Sequence, residues 1–192
     1  STTIDDDPLT PQNEGLARRG VYVRRGNTMV EIARFGESSP FRDDQQQFVP
    51  WASFFDAVAG RRDDQGRARV VFTGQLGAPD ARTGIFRWSE ESFSIESVVL
   101  VGDDVPGGSV ATIARTRVNE QRDVAFFALV SPTGAGETFP ALLVARADGG
   151  FDTVAVFGLD GDPVPGGGRL GILGDFAIAD DATVVFAATL TG

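Results

Sequence analysis

Three landmarks recur in fixed order along this chain, with a period of 54 to 60 residues, and that repetition narrows the choice of fold more than any other feature. The first landmark is a small residue opening an apolar run: Gly20-Val21-Tyr22-Val23, Gly84-Ile85-Phe86-Arg87-Trp88 and Ala141-Leu142-Leu143-Val144. The second is an apolar run that breaks in a turn. Ser97 to Val101 leads into GDDVPGG (Gly102 to Gly108), and Thr153 to Phe157 leads to GDPVPGG (Gly161 to Gly167); the two turns agree at six of seven positions. A looser copy, Met29 to Phe35, runs into Gly36-Glu37-Ser38-Ser39-Pro40. The third landmark is a closing run around Phe72, Phe126 and Phe186, preceded by a polar turn and a further strand such as Ile113 to Val118.

Short Val, Ile, Leu and Phe runs separated by Gly and Pro read as strands joined by tight turns, because Gly supplies positive φ and Pro a fixed φ at a reversal. Gly102, Pro106, Gly161 and Pro165 therefore read as structural, as do the three Phe. A four-strand unit of this length, without helical periodicity, predicts an all-β chain. Its architecture is expected to be three four-stranded antiparallel blades of a β-propeller, at about residues 20–80, 84–135 and 141–192, behind a flexible lead at 1–19. Propellers close with four to eight blades, so three form a partial or open array that a partner or self-association would complete.

The units resemble secreted bacterial tandem-repeat proteins with NxxGxxAF-type motifs and GDPxPG turns. Asn119 to Phe126 keeps the Asn, Ala and Phe of that motif, with Arg122 where its Gly would stand. Ala179 and Ala182 replace both Asn and Gly in the next copy, and Asp64-Gln65-Gly66 carries an insertion before Phe72. The resemblance implies a propeller-like module at the cell surface, in the periplasm or outside the cell, without an agreed activity.

Chemistry is restricted by what is missing. The sequence has no His, no Cys and no Lys, which removes the commonest general base, thiol nucleophiles, Schiff-base chemistry and the P-loop lysine. A net charge of −10 argues against a nucleic-acid partner. No apolar run reaches the length of a membrane-spanning helix. No catalytic residue is assigned, and carboxylate chemistry or oxygen-ligand metal binding is what the composition leaves.

Asp103, Asp104, Asp160 and Asp162 stand at the repeated turns, where they are candidates for Ca²⁺ or, as the favoured reading, cap backbone N–H groups. Asp63-Asp64 and Asp180-Asp181 are similar pairs. Gly166-Gly167-Gly168-Arg169-Leu170-Gly171 spells GxGxxG, yet no amphipathic helix follows, so a structural turn is expected. Trp51, in the aromatic cluster from Phe48 to Phe55, and Trp88 are candidates for glycan or peptide recognition, with core packing the favoured role. Arg115 and Arg117 should share one strand face, wet or paired with acids.

The expected function is a non-catalytic binding or scaffolding module acting through protein or glycan contacts in a larger propeller or oligomer. The alternatives are a carboxylate-dependent carbohydrate-active enzyme and a structural subunit of a multiprotein complex.

Overall fold

The computed structural model describes residues 19–60, 62, 65–134 and 136–192. The expected lead at 1–19 therefore lies almost wholly outside the described residues, as do Asp63-Asp64. Within them the chain is all-β, with fourteen strands and no helix.

Strands β1 (Gly20–Arg25) and β2 (Thr28–Arg34) form a hairpin. A five-stranded antiparallel sheet follows, made of β3 (Ser38–Arg42), β4 (Phe48–Ala59), β5 (Arg69–Leu76), β6 (Thr83–Ser89) and β7 (Ser94–Leu100), paired in chain order. The second such sheet comprises the short β8 (Asp104–Val105) and then β9 (Gly108–Val118), β10 (Val124–Pro132), β11 (Phe139–Ala145) and β12 (Phe151–Val156). A final hairpin joins β13 (Arg169–Ile178) to β14 (Val184–Thr191).

The sheets straddle the sequence units. The two closing strands of one unit, β4 and β5, pair with the two opening strands of the next, β6 and β7, and the same holds for β9 to β12. Sequence periodicity is blind to this choice, because a period cut at any strand repeats equally well. The connection over residues 77–82 settles it, since Leu76 N–H donates to the Arg82 carbonyl (2.9 Å) and lays β6 alongside β5. By contrast, the GDDVPGG turn carries the chain from the last strand of one sheet to the long first strand of the next. Strands β3 and β8 are additions that the four-strand unit does not predict.

The elements stack in series, with an apolar layer at each junction. Val21 and Ala33 of the first hairpin pack on Val70, Phe72, Phe86 and Trp88. Val71, Ile85 and Val99, on the opposite face of that sheet, meet Val110, Val124, Phe126 and Leu143. Ala125, Leu142, Val144 and Ala155 then face Leu170, Phe176 and Phe186 of the last hairpin. Strands β5 and β6 are buried along nearly their whole length because both faces are covered. Burying each large side chain contributes about 1.5–3 kcal/mol. Phe72 and Phe126 are fully buried in equivalent places, whereas Phe186 is half-buried.

Candidate interaction site

The acidic turns are built by their own backbone. Asp103 Oδ2 accepts the Leu100 N–H at 2.8 Å, and Asp162 Oδ2 accepts the Val156 N–H at 2.9 Å, so equivalent aspartates fasten the end of β7 and of β12. The backbone repeats as well, since Val110 N–H donates to the Asp103 carbonyl and Leu170 N–H to that of Asp162, each at 2.9 Å. Asp104 and Asp160 are exposed beside them. Among the described residues no three carboxylates converge on a point that could hold a cation. Gly102, Gly107, Gly166, Gly167 and Gly168 all have positive φ, and β13 follows directly, so the GxGxxG spelling is a turn and not a nucleotide cradle.

Trp51 and Trp88 are each 2 % exposed and belong to the core. Trp51 sits edge-on to Phe86 at 4.8 Å and to Phe72 at 5.6 Å between ring centres. Neither indole has a free face for a sugar or peptide, which corrects the recognition reading of these two residues in favour of packing.

The NxxGxxAF-like segment forms a polar knot in the turn between β9 and β10. Asn119 and Asp123 are both buried, and Asn119 Oδ1 accepts the Asp123 N–H at 2.8 Å. Asp123 Oδ1 accepts from Ala147 N–H at 2.9 Å. Asn119 Nδ2 donates outward to the Ala179 carbonyl at 2.9 Å, and Glu120 N–H donates to Asp180 Oδ1 at 3.0 Å. The donor and acceptor of each of these two bonds stand 60 positions apart, so this turn holds its own next copy. On the other side, Arg69 donates to the Glu120 carbonyl (2.8 Å) and Arg87 to that of Arg122 (3.1 Å). Arg122 has φ 76° and Ala182 has φ 63°, so both keep the left-handed backbone for which glycine is the usual residue.

Arg115 and Arg117 do share a face. Arg117 pairs with Asp175 at 2.9 Å, and Arg115 donates to the Gly174 carbonyl, so both bind β9 to β13. The Phe176 N–H, together with Arg117, holds the Asp175 carboxyl below the usual aspartate range. A cleft of about 620 Å³ opens between β4 and β9, lined by Phe55, Asp56, Thr73, Arg82, Ile113 and Arg115.

The two outer hairpins expose apolar positions whose copies in the inner sheets are buried. Val71 and Ala125 are 1 % and 0 % exposed, while Val185, at the same place in β14, is 68 % exposed. Tyr22 of β1 is 41 % exposed, against 0 % for its counterparts Phe86 and Leu143. Met29, Ile172 and Leu190 are further exposed apolar side chains on these hairpins. Among the described residues β1 pairs with β2 alone and β14 with β13 alone.

Residues 62–192 match one sequence family. The chain belongs to a family of unknown function, DUF7453. The matched span holds β5 to β14, and with them both acidic turns, the Asn119 knot and the last hairpin. No curated protein and no solved structure matches the chain. Sequence reasoning singled out the turns and the aromatic cluster but missed the two outer hairpins. Their residues are apolar or aromatic like those of the buried copies, so the packing is what sets them apart.

Proposed function

We propose that this DUF7453 chain is a non-catalytic binding or scaffolding module, two β-propeller blades flanked by two half-blades, that works by protein contacts within a larger ring or oligomer. Strands β4–β7 and β9–β12 are the two blades, β1–β2 supplies the last two strands of a third, and β13–β14 the first two of another. Supporting the reading above all is Val185, an apolar residue in a strand of blade type that is 68 % exposed while its two counterparts are buried. An uncovered strand edge beside an apolar face is a template for pairing and is costly to leave in water. The resemblance to secreted tandem-repeat proteins favours a bacterial envelope or extracellular setting. No helix among the described residues is long and apolar enough to cross a membrane.

Hydrogen exchange tests this reading. In the assembled protein the amides of β1 and β14 should be protected to the level of β5 and β10. Free exchange at β1 and β14 with β5 and β10 still protected would remove it. The carbohydrate-enzyme alternative would replace it if a glycan screen gave turnover that a single Asp-to-Asn substitution abolished. A permanent subunit role differs from the module only in the lifetime of the contact.

A further inference from the structure

We infer that the covering partner is a second copy of this chain, whose β1 pairs antiparallel with β14 to form one composite blade, β13-β14-β1-β2. The inference rests on the module reading and adds the partner and its register.

The chain contains this junction twice already. Strand β5 pairs with β6 through Val70↔Trp88, Phe72↔Phe86 and Gly74↔Gly84; β10 pairs with β11 through Val124↔Ala145, Phe126↔Leu143 and Ala128↔Ala141. Strand β1 is built as β6 and β11 are. Each is irregular at the same step in pairing with the strand after it, at Val21/Tyr22, Ile85/Phe86 and Leu142/Leu143. That landmark aligns Tyr22 with Phe86 and Leu143, and Gly20 with Gly84 and Ala141. Strand β14 aligns on β5 and β10 through Phe186. The register is then fixed, with Phe186 opposite Tyr22, Val185 opposite Val23 and Ala188 opposite Gly20 of the second copy.

Side-chain exposure agrees with this placement on both faces. Val71 faces the following sheet and Ala125 the last hairpin, so Val185 should face whatever comes next, and it is bare. Val21 already packs on the sheet β3–β7 of its own copy, so that sheet is what Val185 would meet once β1 lies beside β14. Phe86 and Leu143 face the preceding element, so Tyr22 should do the same, and it too is exposed. In the composite blade it falls next to Phe186 and Phe157, which stack edge to face at 5.7 Å. One arrangement therefore covers Val185 and Tyr22 together. Applied reciprocally by two copies, it makes a closed ring of six blades, inside the range in which propellers close.

The chain has no cysteine, so crosslinks can be placed without background. A Val23→Cys protein and a size-tagged Val185→Cys protein, mixed and oxidised, should give a mixed disulfide, whereas Met29→Cys with Val185→Cys should not. The unsubstituted chain should sediment as two copies; a linked assembly of higher order would keep the composite blade and set a larger ring. A single-copy mass at all concentrations, or a link that forms only inside a doubly substituted chain, overturns the second copy. Should that monomer keep its β1 and β14 amides protected, the module reading stands without this partner; if those amides exchange freely, both fall.

Discussion

Asn119 donates to the carbonyl of Ala179 at 2.9 Å, and through this bond a turn in one sheet grips the same turn of the following hairpin. The same side chain accepts the Asp123 N–H at 2.8 Å, so it closes its own turn while holding its neighbour. Asn119→Ala removes both and leaves buried Asp123 with an unanswered N–H. Each buried group so orphaned costs about 1–3 kcal/mol. Denaturant unfolding should show a loss in that range, and Asn119→Asp should not recover it, because the oxygen standing in place of Nδ2 would face Asp123 Oδ2, to which Nδ2 donates at 3.1 Å, and the Ala179 carbonyl.

Ala182 holds φ 63° without the freedom of glycine. Ala182→Gly should raise stability by up to about 1 kcal/mol, the usual cost of a left-handed alanine less the added entropy of the unfolded chain. Melting temperature is the readout. Arg122→Gly should gain less, because Arg122 also reaches Glu96 at 3.4 Å.

At Gly108 a side chain has no room. A Cβ there would lie 1.8 Å from the Ser131 carbonyl oxygen on β10, which is backbone and cannot swing aside. Gly108→Ala should destabilise by about 3 kcal/mol or more through displacement of β9 from β10. Circular dichroism melts against Gly102→Ala, whose added Cβ meets nothing within 4 Å, separate crowding from backbone strain.

Phe126 is fully enclosed and Phe186, its counterpart, is half-buried. Phe126→Ala should cost about 3–5 kcal/mol in any state of assembly. Phe186→Ala should cost less than Phe126→Ala in dilute protein, and the gap should narrow where the chain is assembled. Unfolding curves taken across a range of protein concentration check this.

Glu90 accepts the Ala68 N–H at 2.6 Å and pairs with Arg25 of β1 at 2.9 Å. The backbone bond first, then Arg25, holds its carboxyl below the ordinary glutamate value of 4.5. A folded-state pKa below the unfolded one adds stability that is complete above the unfolded value and lost as pH falls through the folded one. Melting temperature should therefore decline on acidification below about pH 4.5, and Glu90→Gln should flatten that part of the profile. Asp181, lowered by the Thr183 N–H, contributes in the same direction.

Strand positions were legible in the sequence because an apolar residue in a Gly- and Pro-punctuated run has few alternatives to a strand. Which strands join into a sheet was not legible, since β5 is as apolar toward β6 as toward β4. Trp51 shows the limit for sites. An aromatic cluster suits a core and a binding edge equally, and only the ring contacts with Phe72 and Phe86 decide for the core. Arg122 and Ala182 show another, because a left-handed turn without glycine leaves no mark in residue type. Val185 and Tyr22 are the sharpest case, as their surroundings differ from those of their counterparts while the residues hardly do.

The Asn119 and Glu120 bonds to Ala179 and Asp180, with those from Arg69 and Arg87, all lie along the rim that carries the β9–β10 and β13–β14 turns. Sheets fastened at one rim can spread at the other as the sticks of a hand fan spread from their rivet. These bonds join neighbouring sheets and none lies within one, so such a pivot acts between sheets and leaves every strand pair intact.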